Sequence, residues 1–217
     1  MSRAGVPAAA ARYRLVVFDF DGTLADSWPW FLANVNRAAE RYGFRPLPMD
    51  RLDEYRGLAP RELVARLGLP LWKLPQVASG MRAAMAADLA GIRLFEGALD
   101  VLRALRTRGV RSAIVSSNSR DNIARVLGVE GAALVDHFGC GAPLFGKRTL
   151  LRRVARAADV AHAQVLCVGD ELRDIEAARA LGMAAVGVAW GFATPAALAA
   201  CSGQPVLTDW GALLGLL

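Results

Sequence analysis

The sequence predicts an α/β fold, a doubly wound parallel sheet interrupted by one all-helical insertion. Three observations predict it. Leu15 to Phe18 is an unbroken apolar run cut off at Gly22, the pattern of a strand buried on both faces. From Ile92 onward short apolar runs alternate with helical periodicity, which gives a parallel sheet wrapped by helices. Between Ser27 and Gly91 nothing reads as a strand, so about 65 residues form a helical block directly after the first strand. The expected organisation is a core of residues 1–26 and 92–217 with a helical segment at 27–91.

The elements follow in order. Trp28 to Tyr42 is apolar at helical spacing, with Ser27 as N-cap and Gly43 as stop. Pro46 and Pro48 break the chain. A short helix is expected at Arg61 to Leu67, and another at Trp72 to Leu89 after the interruption by Gly68 and Pro70. In the alternating region, helices are expected at Glu96–Arg108, Arg120–Leu127 (stopped by Gly128), Lys147–Ala158, Leu172–Leu181, Thr194–Ala200 and Asp209–Leu217. Strands are expected at Arg111–Ser116, His137–Cys140, Val165–Val168, Ala184–Trp190 and Pro205–Leu207.

Composition narrows the function classes. The chain has 217 residues, 54% of them apolar, enough for a sizeable core and against disorder. No apolar stretch approaches the roughly 18 residues that span a bilayer, and the N-terminal stretch to Arg14 is too weak for a secretory signal, so no membrane partner and a cytoplasmic location are expected. Cys140, Cys167 and Cys201 are odd in number and widely spaced, which suits small buried hydrophobes rather than a disulfide framework or zinc site. The net charge of +6 comes from 24 Arg and 2 Lys among the 26 basic residues. Their densest cluster, Arg148, Arg152, Arg153 and Arg156, forms a helical stripe of solvated-face type. Nucleic acid is not expected; the balance suits a small anionic substrate.

In parallel sheets, ligands sit at the carboxyl ends of the strands, and four stretches place polar residues there. Asp19 and Asp21 project to one side of an extended chain while Phe20 faces the other. Gly22 lets the backbone turn, and Thr23 can bond the local backbone. Ser116 can donate to a phosphate oxygen, and the N–H groups around Ser117 and Asn118 add anion affinity at a helix start. Lys147 opens a helix in a chain that otherwise prefers Arg; a compact ammonium pairs with carboxylate and phosphate together as a point charge. Gly169 and Asp170 close a strand, and Asp174, one turn on, points back to the same place. Carboxylate oxygens suit a hard divalent cation, and Mg²⁺ keeps several of its waters.

Together these residues resemble the haloacid dehalogenase-like superfamily of phosphatases. Asp19-Phe20-Asp21-Gly22-Thr23-Leu24 is similar to its first motif, Ser116 to its second, Lys147 to its third and Gly169 to Asp174 to its fourth. The resemblance runs from about Arg14 to Trp210. It implies a Rossmann-like core, and the helical segment resembles the small cap of the phosphoglycolate phosphatase and β-phosphoglucomutase branch. Members of that branch commonly have Pro after the third-motif Lys, where this chain has Arg148 and Thr149.

The resemblance implies roles. Asp19 is expected as the nucleophile that forms an aspartyl phosphate, and Asp21 as the acid that protonates the leaving oxygen and then activates water. Mg²⁺ is expected on the Asp19 carboxylate, the Asp21 carbonyl and Asp170, with Asp174 in support. Ser116, Lys147 and nearby N–H groups stabilise phosphoryl charge. Asp21 excludes the dehalogenases and the phosphonate-cleaving branch, which lack Asp there. The segment Tyr55 to Glu62 is similar to the family's substrate loop, so Arg56 and Arg61 are expected to grip an anionic leaving group. Trp28 is expected in the core and Trp30 facing the substrate. The expected substrate is a small phosphorylated metabolite, phosphoglycolate-like. A phosphomutase of the β-phosphoglucomutase kind and a non-catalytic binding module are the alternatives.

Overall fold

A computed structural model describes residues 12–143 and 146–217; the N-terminal stretch weighed as a signal lies mostly outside them. The chain runs β1 (Leu15–Phe18), β2 (Ala25–Asp26), α1 (Trp28–Tyr42), α2 (Leu52–Arg56), α3 (Pro60–Arg66), α4 (Leu74–Ala87), β3 (Arg93–Leu94), α5 (Ala98–Thr107) and β4 (Arg111–Val115). It continues through α6 (Arg120–Leu134), β5 (His137–Gly139), α7 (Lys147–Ala157), β6 (Val165–Gly169), α8 (Leu172–Arg179), β7 (Ala184–Gly187), α9 (Pro195–Ser202) and α10 (Trp210–Leu214).

Five strands form one sheet in the order β5-β4-β1-β6-β7, every pair parallel. β1 lies at the centre, Leu15 level with Arg111 on one side and Val165 on the other. Successive side chains of a strand face opposite ways, and the core divides accordingly. Val16 and Phe18 pack with Leu102, Leu105 and Ile123 of α5 and α6, while Leu15 and Val17 pack with Leu151 and Val154 of α7. A strand covered on both faces has no polar alternation, which is why β1 and β6 are apolar throughout.

The helical segment leaves and rejoins the core through the antiparallel pair of β2 and β3. α1 to α4 carry a small cluster of their own, with Val35, Leu47 and Leu67 at its centre. α1 ends where Gly43 turns left-handed (φ 68°) and its N–H returns to the Ala39 carbonyl, a glycine stop. The four basic residues of the α7 stripe are exposed. The three cysteines are unpaired, with Cys167 buried. Among the described residues, no helix is long and apolar enough to cross a membrane.

Several elements differ from expectation. Ser27 does not cap α1 with its side chain; its hydroxyl bonds to Asp21. α2 was not anticipated. Gly128 interrupts α6 with non-helical geometry, yet the helix resumes to Leu134, because Leu134 is drawn into the core. The strand expected at Pro205–Leu207 is reduced to a single bridge between Val188 and Leu207; Pro205 has no N–H for a ladder.

Candidate active site at the carboxyl end of the sheet

β1 delivers Asp19 to the sheet edge, 5% exposed, where Oδ1 accepts the Phe20 N–H at 2.6 Å. Its Oδ2 meets the ammonium of Lys147, the first residue of α7, and the same ammonium bonds Oδ1 of Asp174. Burial disfavours the charged ammonium, but Asp174 and Asp19 outweigh it and hold the pKa above its ordinary value. Asp174 is fixed from a second side: Glu171 N–H donates to Oδ2 at 3.0 Å in a capping box that opens α8.

Asp170, at the end of β6, is 1% exposed. Thr23 Oγ1 donates to its Oδ1 at 2.8 Å and Phe192 N–H to its Oδ2 at 2.8 Å, so Thr23 serves this carboxylate rather than the local backbone. Two glycines make the close packing possible. A Cβ on Gly22 (φ 73°) would fall 2.2 Å from Asp170 Oδ2, and one on Gly191 would fall 2.0 Å from Asp170 Cβ, distances no side chain tolerates. Burial, then Asp19, raises the Asp170 pKa well above its ordinary value. Asp174 is pushed up to about 6, chiefly by burial. Oxygens of Asp19, Asp170 and Asp174 lie within 4.8 Å of one another. Three buried carboxylates converging on one point with all-oxygen donors suit a hard divalent cation such as Mg²⁺.

Asp21 has a different setting. Burial and then the charge of Asp19 push its pKa up to about 6, while hydrogen bonds from Ser27 and Asn118 work the other way. Asn118 Nδ2 donates to both Asp21 oxygens at 3.0 and 3.3 Å. Asn118, expected to contribute to phosphate binding, has its N–H on Ser116 Oγ at 3.1 Å and its side-chain amide on Asp21. Ser116 is buried and keeps its own O–H to donate. Ser117 meets the helical segment, its carbonyl accepting from Arg82 Nη1 at 3.2 Å.

Of the two arginines expected to grip a leaving group, Arg56 has its guanidinium on backbone carbonyls of the core. Its Nε donates to Phe192 O at 2.7 Å, its Nη2 to Gly191 O at 3.2 Å, and its Nη1 to Asp53 at 3.2 Å. Arg61 stands exposed in the first turn of α3. Trp30, expected to face the substrate, lies instead in the core, its Nε1 donating to Asp88 at 3.2 Å. Trp28 is half-buried against Phe31 and Phe192; the α1 stripe turns Trp30 inward because Asp88 satisfies its N–H.

Sequence reasoning missed Arg173. Burial disfavours its charge, but Glu171, Asp19 and Asp174 hold its pKa above the ordinary value. Its Nη2 donates to Glu171 at 2.6 Å, and its Nε is buried without a partner. The signal was its place between Asp170 and Asp174.

The model of the haloacid dehalogenase-like hydrolase family matches residues 16–188. The chain is 37% identical to a phosphoglycolate phosphatase of Synechococcus elongatus, over 82% of this chain and 84% of that one. It is 30% identical to the tyrosine-protein kinase PtkA of Mycobacterium tuberculosis, over 82% of this chain and 63% of that longer one. The crystal structure of a haloacid dehalogenase-like family hydrolase from Streptococcus pneumoniae superposes with a TM-score of 0.74 at 19% identity, covering 94% of this chain and 98% of that one. With the match running from β1 through Val188, the chain belongs to the haloacid dehalogenase-like hydrolase family.

Proposed function

We propose that the chain is a Mg²⁺-dependent phosphatase that hydrolyses a small phosphorylated metabolite of the phosphoglycolate kind through an aspartyl-phosphate intermediate. The observation that carries this reading is the pair of carboxylates after β1. Asp19 sits against the Lys147 ammonium, whereas Asp21 lies against the Asn118 amide with a pKa of about 6. Unlike environments for two neighbouring carboxylates assign unlike roles. Asp19 attacks phosphorus and the P–O bond to the leaving group breaks. Asp21, protonated, gives its proton to the departing oxygen. As a carboxylate it then takes a proton from the water that attacks the phosphoaspartate, releasing inorganic phosphate and restoring Asp19.

Asp19, Asp170 and the Asp21 carbonyl hold the metal in this reading, with Asp174 supporting; the ion supplies positive charge that lets a carboxylate approach a phosphoryl dianion. Lys147 and the Ser116 hydroxyl stabilise the phosphoryl oxygens. Residues 27–91 act as a cap over a core of 1–26 and 92–217, and Arg61 at the start of α3 contacts the anionic part of the leaving group.

The test is phosphate release from a panel of phosphorylated metabolites. The expected result is release that requires Mg²⁺, stops in EDTA, is poorly supported by Ca²⁺ and is fastest for a small ester that also bears a carboxylate. Phosphate returned to a sugar would make the chain a mutase. Transfer from ATP to tyrosine in place of release would align it with its kinase-named relative and overturn the proposal.

A further inference from the structure

We propose that Arg56 is a positioning residue that couples seating of the helical segment on the core to metal binding by Asp170. The coupling is a short relay of hydrogen bonds. From α2, Arg56 holds the carbonyls of Phe192 (Nε, 2.7 Å) and Gly191 (Nη2, 3.2 Å). The same Phe192 donates its N–H to Oδ2 of Asp170 at 2.8 Å, and Ala193 N–H donates to the Asp170 carbonyl at 3.0 Å. This loop therefore touches the helical segment with the carbonyls of Gly191 and Phe192, and Asp170 with the N–H groups of Phe192 and Ala193. Gly191 packs so closely on Asp170 that an added Cβ would lie 2.0 Å from the Asp170 Cβ, so the loop cannot shift toward the carboxylate, and its backbone passes any displacement on.

Aromatic packing reinforces the contact. Phe192 meets Trp28 edge-to-face at 4.9 Å between ring centres, Trp28 stacks on Phe31, and the Arg56 guanidinium lies 5.9 Å from the Trp28 ring. When Arg56 is seated, the Asp170 carboxylate is restrained by Thr23 on one oxygen and Phe192 on the other. With Arg56 withdrawn, the Gly191 and Phe192 carbonyls lose a charged donor and the loop gains freedom, which loosens one of the two restraints. A preorganised ligand binds its ion more tightly, and the effect is reciprocal, so bound metal favours the seated helical segment.

This inference rests on the metal-dependent reading of the site, and the experiment separates the two. Mg²⁺ binding is measured by calorimetry without substrate, for the wild type, Arg56→Met, Arg56→Lys and Arg51→Ala. Arg51 also lies beside α2, but its ion pair with Glu54 is within the helical segment. The expected result is about tenfold weaker binding for Arg56→Met, partial recovery for Arg56→Lys and no change for Arg51→Ala. A melting temperature without metal, measured for each variant, separates this from general loss of stability. The reciprocal measurement needs no variant: Mg²⁺ should slow hydrogen exchange in residues 52–58 of the wild type. Absence of Mg²⁺ binding to the wild type would remove the metal reading itself. Wild-type affinity in a folded Arg56→Met, or unchanged exchange at 52–58 on metal binding, would overturn the coupling alone.

Discussion

The ion pairs of the helical segment and those at the sheet edge use the same charges in opposite settings. Arg51 and Glu54 meet at 2.6 Å with side chains 60% and 47% exposed. Lys147 and Asp19 are 5% and 3% exposed. In water the first pair gains little, because solvent screens it and two long side chains lose freedom. The buried pair has surrendered its hydration, and removing Lys147 leaves both Asp19 and Asp174 without their shared cation. The core thus stores its charges under constraint, where they bear on chemistry. The helical segment keeps its charges outside and attaches to the core by side chains reaching backbone carbonyls, as Arg56 does with Gly191 and Phe192 and Arg125 with Ala86.

That contrast breaks most sharply at Asp19, the proposed nucleophile. Asp19→Asn should lower turnover by at least about ten-thousandfold, with the circular-dichroism spectrum unchanged, since the burial of β1 comes from Leu15 to Phe18. Appreciable phosphate release from the folded variant would end the aspartyl-phosphate mechanism. Lys147→Met should both abolish activity and cost about 3–5 kcal/mol in chemical denaturation, since it leaves Asp19 and Asp174 without their cation. Lys147→Arg should not restore activity, a planar fork being a poor match for one point between two carboxylates.

Asp21 sharpens the comparison from the other direction, because its charge is stored at a cost. Its folded pKa, about 6, lies above the ordinary 3.8, so the protonated group favours the folded chain. That contribution is complete below about pH 4 and lost as pH rises through about 6. Asp21→Asn, inactive, should therefore be more stable than the parent at neutral pH, by up to about 3 kcal/mol. The gain should fade to nothing in acid. Denaturation curves at several pH values that show no such dependence would refute the raised pKa of Asp21.

The smallest effects belong to the helical segment. Arg61→Ala should lower kcat/KM for the best anionic substrate about tenfold to a hundredfold, the loss of one charge-assisted contact. Turnover of p-nitrophenyl phosphate, which offers no second anion, should change only a few-fold. Equal losses on both would assign Arg61 to seating of the segment instead. Arg51→Ala should leave melting temperature and activity as they were.

The core was legible in the sequence because burial and chemistry leave periodic marks there. Apolar runs ending in Asp19, Ser116 and Asp170 show both a strand and its functional end. β2 and β3 escaped because two residues each carry no period. The roles of Asn118 and Arg56 escaped for another reason: a residue type shows what a side chain can bond, while its partner depends on which distant segments the fold brings near. Asn118 meets Asp21 across 97 positions and Arg56 meets Phe192 across 136. Trp30 was placed on the wrong face because helical spacing ranks faces by hydrophobicity and does not see Asp88 waiting for an indole N–H.

The central place of β1 also bears on how the protein is made. Its register partners are Arg111 to Ile114 and Val165 to Val168, so β1 cannot be flanked on both sides until about 150 further residues have been synthesised. Pairings this distant are slow to close, and until they close an apolar strand lacks its neighbours, a setting that favours aggregation. The helical segment, whose cluster is built from neighbouring helices, has no such wait and can order early. Asp19 waits likewise for Lys147 and Asp174, so the candidate site cannot assemble until both have been synthesised.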